Sequence, residues 1–151
     1  MPKFVTHRDF EFIQHINREL VSDVIDVLVI LYKVIPDYTT LNIYGESSSK
    51  VRYTGITVPC IITYKKTSNV TEEFGPDSEQ DAEFAFVRRK LEEANVRPEI
   101  GDIIGYNDLY YEVDNTSETQ LIGSRPEFVT SIIAFAHLTR MSGITIEPRQ
   151  V

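Results

Sequence analysis

The chain has no tryptophan, a single cysteine and no long hydrophobic run, and each shortage narrows what it can be. One cysteine, Cys60, makes no intrachain disulfide and excludes a metal site built on thiolates. Its neighbours Pro59 and Ile61-Ile62 suit a small buried hydrophobe, and the pattern fits synthesis in a reducing cytoplasm. The longest apolar run, Val27–Tyr32, is far short of the roughly 20 residues that cross a bilayer. The first ten residues are charged and hold no apolar core of the secretory type. A soluble chain without a membrane partner is therefore expected. Positive charge is also scarce: 15 Lys and Arg against 23 Asp and Glu leave a net charge of −8. A domain of that sign is repelled by phosphate, so ordinary nucleic-acid binding is disfavoured.

What the chain does have is bulk suited to strands. Eight Tyr, eight Phe and 42% hydrophobic residues over 151 positions support one domain, 1–151, with a real core. The most specific segment is Pro98–Asn115. A Gly-Asp turn leads into Ile103–Tyr106, the polar pair Asn107-Asp108 interrupts, and Leu109–Val113 follows. This spacing predicts a tight hairpin, since Asn and Asp both tolerate the left-handed backbone of such a turn. Strand alternation sets Leu109, Tyr111 and Val113 on one side and Tyr110 and Glu112 on the other.

Along the rest of the chain, Thr6 and Asp9 form a capping-box pattern ahead of a helix expected at 7–24. Phe10, Ile13, Ile16, Leu20 and Val24 recur on one face of that helix. Val27–Ile35 reads as a buried strand ended by Pro36-Asp37, although a longer helix through Tyr32 competes with this division. Thr39–Ser49 reads as a connecting loop. Val51–Val58 and Cys60–Lys65 read as two strands separated by Pro59, which lacks a ladder donor. The acidic stretch 66–81 is expected to be an exposed loop. A strand through Val87 gives way to a short helix, Arg88–Asn95, stopped before Pro98. Val129–Arg140 alternates as a strand with both faces partly covered, and 142–151 is a polar C-terminal tail, mobile or ordered by a partner. The fold class that follows is mainly β (α+β): a barrel-like or sandwich-like antiparallel β domain over 27–140, with an N-terminal helix and one short inserted helix.

Catalytic chemistry has little to stand on. His7 and His15 lie two helical turns apart, and His137 has no acidic or His neighbour two positions on, so no metal site is expected. There is no nucleophile elbow and no phosphate-cradling glycine loop. Glu72-Glu73 and Glu92-Glu93 read as solvated faces; Glu112 reads as the partner of a cross-strand cation. Arg88-Arg89-Lys90, the lone basic run, suits a protein interface or local ion pairs. No catalytic, cofactor-binding or metal-ligating residue is assigned, no cofactor is expected, and the protein is not expected to be an enzyme.

Five segments in order carry a resemblance: Asn42-Ile43-Tyr44-Gly45-Glu46, Phe84–Asn95, Pro98–Asn115, Gln120-Leu121-Ile122-Gly123 and Ile132–Arg140. Together, over roughly residues 10 to 140, they resemble the neck proteins of contractile-tailed bacteriophages, which join a filled head to its tail. The resemblance implies a structural virion protein located in the neck and assembled as a ring, a six-fold homo-oligomer. It implies partners on the portal or adaptor side and on the tail-terminator side, with packaged DNA passing through unbound. A tail terminator or tail-completion ring is the nearest alternative. An acidic DNA-mimic binding module is the alternative of another class, and it would need its carboxylates lined up on one face.

Overall fold

The structure, a computed structural model, describes residues 6–35, 51–52, 54–65, 68–72, 75–120, 129–139 and 145–146. The expected loop Thr39–Ser49 and the resembling segments at 42–46 and 121–123 lie outside them.

Six strands close into an antiparallel barrel: β1 (Leu28–Tyr32), β3 (Ile56–Tyr64), β6 (Asp81–Val87), β7 (Ile103–Tyr106), β8 (Leu109–Gln120) and β9 (Val129–Thr139). Around the barrel the order is β1-β3-β6-β9-β8-β7, and β7 pairs back onto β1 through Ile30↔Gly105, Leu31↔Ile104 and Tyr32↔Ile103. Two short pairings lie outside it. β4 (Ser68–Glu72) pairs antiparallel with β5 (Gly75–Glu79), and β2 (Val51–Arg52) pairs parallel with β10 (Thr145–Ile146).

The barrel is filled by side chains. Val29, Leu31, Val58, Cys60, Phe84, Phe86, Ile104, Tyr111 and Val113 point inward and are buried. Large and small residues face each other: Phe84 pairs with Ala134, and Phe86 with Cys60. The space left beside Ala134 lets Phe84 meet Tyr111 edge-on, with ring centroids 5.3 Å apart. Burial pushes the Cys60 thiol up to about 12, so it stays a neutral hydrophobe as expected.

The expected hairpin is present. Asn107 and Asp108 have φ of 49° and 62°, the double left-handed backbone of a type I′ turn. Tyr111 and Val113 enter the core, while Leu109, at the strand's first position, remains 41% exposed. The chain leaves β6 through helix α2 (Arg88–Glu93) and returns as β7. Those strands lie opposite each other in the barrel order, so α2 has to cross one end of the barrel. Leu91 and Val96 plug that end within the core. Asn95 ends the helix at φ 51°, with Val96 N–H donating to the Leu91 carbonyl and Asn95 N–H to that of Glu92. This is a Schellman ending with Asn where Gly is commoner.

At the N-terminus Thr6 and Asp9 form the capping box of helix α1 (His7–Glu19), which continues as a π-helical turn, Leu20–Ile25. Asp26, at φ 47°, ends the helical segment. Among the described residues no helix is long and apolar enough to cross a membrane.

Four expectations need correction. Pro59 does not divide the chain into separate strands: β3 runs through it. Cys60 N–H bonds the Val27 carbonyl on the β1 side, so the Pro59 nitrogen faces β6, where pairing starts only at Cys60↔Phe86. The missing donor thus falls just beyond the end of the ladder. The stretch 66–81 holds the β4–β5 hairpin and the start of β6 rather than a plain loop. Within the tail 142–151, Thr145–Ile146 is tied down by β2. Finally, β1 is buried on one face only, since Leu28 and Ile30 point outward and are exposed.

A polar clamp fixes the seam between β1 and β7. Asp102 is 2% exposed, and its carboxylate accepts from Lys33 Nζ at 2.8 Å, Val34 N–H at 3.1 Å and Glu99 N–H at 2.8 Å. Lys33 also donates to Glu99 Oε2 at 2.7 Å and to the Arg97 carbonyl at 2.8 Å, which uses all three of its hydrogens. Gly101, at φ 88°, permits the turn that brings Glu99 back to Asp102.

Loss of either partner in this clamp should be felt. Lys33→Met strands a buried carboxylate and should cost about 3–5 kcal/mol in denaturant unfolding. Lys33 holds the Glu99 carboxyl below the usual carboxylate range. Its small contribution is therefore present above that range and lost as pH falls through the depressed value, and K33M should lack this component of the acid sensitivity. Separately, the buried Tyr111 hydroxyl has the Tyr64 phenol as a polar neighbour but makes no well-formed hydrogen bond among the described residues. Tyr111→Phe should change stability by no more than about 1 kcal/mol, whereas Tyr111→Ala should cost about 3–5 kcal/mol by opening a cavity. Equal losses in both would refute the placement of that hydroxyl.

Candidate interaction surfaces

The first surface is the outer side of the N-terminal helical segment. Phe10 and Val21 point into the fold and are buried, and Arg18 ties the helix to α2 by an ion pair to Glu93 at 3.1 Å. The expected apolar face does not all follow them. Ile16 and Leu20 are each 45% exposed and Val24 is 73% exposed, joined by Phe12 at 64%. The helix is apolar over about half its circumference, more than its contact with the body can cover. Phe12, Ile16, Leu20 and Val24 follow at four-residue steps and make a convex ridge along one side.

The second surface is concave. Leu28 and Ile30 on β1 and Leu109 at the head of β8 are exposed on the barrel wall. With Tyr32, Tyr106 and Tyr110 they line a shallow groove of about 350 Å³ that ends at Asn107-Asp108. Its floor is open at Gly105, where a Cβ would come within 3.2 Å of the Tyr32 ring. Tyr32 and Tyr110 lie with ring centroids 6.2 Å apart and tilted by 44°. Burial, and the neighbouring Tyr110, raise the Tyr32 phenol, so it remains a hydrogen-bond donor at neutral pH.

Among the described residues the basic groups are largely committed within the molecule. In the run Arg88-Arg89-Lys90, Arg88 pairs with Glu92 at 2.8 Å and Lys90 with Glu93 at 3.5 Å. Local ion pairing is thus the fate of Arg88 and Lys90. Lys65 pairs with Glu83 at 2.8 Å and lies over the Phe135 ring, and Arg97 pairs with Glu118. Each pair is partly exposed and adds little stability, but it removes a cation that phosphate could use.

The three histidines are scattered. His7 and His15 each face a glutamate one turn on, Glu11 at 3.4 Å and Glu19 at 3.2 Å. His137 bonds both carboxylate oxygens of Asp114 at 2.8 and 2.9 Å across the β8–β9 ladder. A bulge puts Asp114 there, because the pairing shifts between Val113 and Asn115. Glu112 stands cross-strand from Ile103 on one side and His137 on the other. Among the described residues no three His, Cys, Asp or Glu converge as metal ligands. Two features escaped the sequence: Phe12, whose place beside the expected helix face widens the apolar arc, and Lys33, whose partner Asp102 is distant in the chain.

No protein-family model matches the chain, and no curated protein matches it. A solved structure does. A chain of the "Virion of native gene transfer agent (GTA) particle" aligns at TM-score 0.52 and 13% identity, over 74% of this chain and 93% of that one. The likeness is one of fold. It spans nearly the whole of a chain from a virion, and it agrees with the closed barrel and helices described above.

The ridge and the core should respond differently to substitution. Phe12→Ser and Leu20→Ser should stay within about 0.5 kcal/mol of the parent stability, as surface changes do. Phe10→Ala, on the buried side of the same helix, should cost about 3–5 kcal/mol. Thermal unfolding of the three variants tests this; a large loss at Phe12 would mean that the ridge is packed.

Proposed function

We propose that the protein is a structural component of a tailed-phage virion that assembles as a ring in the neck, closing the filled head and presenting a docking surface to the tail. The fold likeness to a chain of a gene transfer agent virion carries the coarser half of this statement. The order of segments over roughly residues 10 to 140 supports the finer half. Two further properties suit the role. Two different apolar surfaces remain uncovered on one chain, which is what a repeating subunit contact requires. The net charge of −8, with cations tied up in ion pairs, suits a wall past which DNA slides without sticking.

The mechanism is binding alone. Shape and apolar contact hold subunits together, and the head side and the tail side take different faces of the ring. No step asks for a nucleophile, a metal or a cofactor.

The test is location and mass. Purified virions should contain the chain, and it should cross-link to portal-side proteins above and tail-terminator-side proteins below. Native mass measurement with the portal-side partner should give a closed ring. Cross-links to tail proteins alone would move it to the tail terminator position. A monomer beside its partner, together with its absence from virions, would refute the neck assignment. The free protein should also bind duplex DNA no tighter than about 10⁻⁴ M at about 150 mM salt, the weak end of non-specific binding. Micromolar retention in a filter assay would overturn the passive-wall account.

A further inference from the structure

The ridge and the groove differ in shape and match in chemistry. The ridge is convex and carries Phe12, Ile16, Leu20 and Val24. The groove is concave, with Leu28, Ile30 and Leu109 exposed in it. Their charges also correspond. Among the described residues Asp108 is the sole charged one lining the groove, and it stands at the hairpin tip. Arg8 lies one turn before Phe12, exposed at the start of the ridge. Toward the other end the ridge is bordered by the exposed carboxylates Glu19 and Asp23, while the groove offers Tyr hydroxyl donors.

We propose that the ridge of one copy seats in the groove of the next, with Arg8 toward Asp108, and that this is the repeating subunit contact. The inference rests on the ring assembly proposed above and names its two faces. A symmetric dimer that packed ridge on ridge would cover both ridges and leave both grooves in water. The head-to-tail contact covers both surfaces on every copy and puts Arg8 beside an anion. It is heterologous, so it repeats from copy to copy, and a rotation per copy that divides a full turn closes it into the proposed ring.

The experiment uses the full chain and two variants at exposed positions, Leu20→Asp on the ridge and Leu109→Asp in the groove. Thermal unfolding first shows that both keep the parent fold. In analytical ultracentrifugation the parent should form oligomers and each variant alone should be monomeric. Mixed one to one, the variants should form dimers and nothing larger, because one retains a groove and the other a ridge. Charge reversal gives a second arm: Arg8→Glu and Asp108→Arg should each weaken association several-fold, and together they should restore it.

Assembly of L109D like the parent would show that the groove is not used and overturn the proposal. So would a mixture that stays monomeric, or a parent chain still monomeric at about 1 mM, the weak end of specific affinity. These outcomes leave the neck assignment to its own test, because incorporation into virions is measured separately. Ridge-to-groove oligomers of a chain absent from virions would refute the neck assignment and leave the contact standing.

Discussion

The barrel depends on the pairing of Lys33 with Asp102. Five of its six seams carry at least four paired residues, but the closing seam between β1 and β7 carries three. The clamp begins where that seam ends, with Lys33 following Tyr32 and Asp102 preceding Ile103. Burying a carboxylate is costly unless every lone pair and charge is met. Here two backbone donors and an ammonium meet it, and the ammonium is itself saturated. The same turn continues the ladder, because Val113 N–H donates to the Asp102 carbonyl and Gly101 N–H to that of Val113. One polar cluster therefore joins β1, the turn before β7, and β8.

Closure determines what remains for contact. With its ladder joined end to end, the six-strand body offers little edge for a partner strand to extend. Recognition then falls to side chains on the outside. Among the described residues the exterior is correspondingly uneven, with most of the exposed large hydrophobics on the N-terminal helical segment and on the wall of β1, β7 and β8, and Ile61, Tyr64 and Ile100 standing apart. Most of the described cations are spent on carboxylates. The neck role proposed above asks for adhesion toward protein and indifference toward phosphate. This distribution suits both.

Local rules were readable in the sequence where they act over a few residues. Asn107-Asp108 announced a turn that needs positive φ twice, Thr6 and Asp9 announced a capped helix, and Phe84–Asn95 carried its change from alternation to helical spacing at Val87 and Arg88. What depended on distant partners was hidden. Pro59 fits inside a strand only because the β6 ladder ends one residue short of it. Polar 68–79 forms strands with no apolar alternation to signal them. The helix face was misjudged because periodicity gives the width of an apolar arc but not which half of it meets the body. For the same reason the interaction surfaces were legible only as hydrophobic pattern, and the pairing of Lys33 with Asp102 was not legible at all.

The filled interior has a consequence for any passage of DNA. Six strands enclose only enough space for their own side chains, here Phe84, Phe86, Tyr111 and their neighbours, so no duplex can thread a subunit. A conduit would have to be bounded by several subunits, its bore set by how many meet and at what angle. Its lining would then be drawn from exterior positions that fold stability hardly constrains. Selection could change the charge or width of such a bore without touching the core, and could rebuild the core without disturbing the bore.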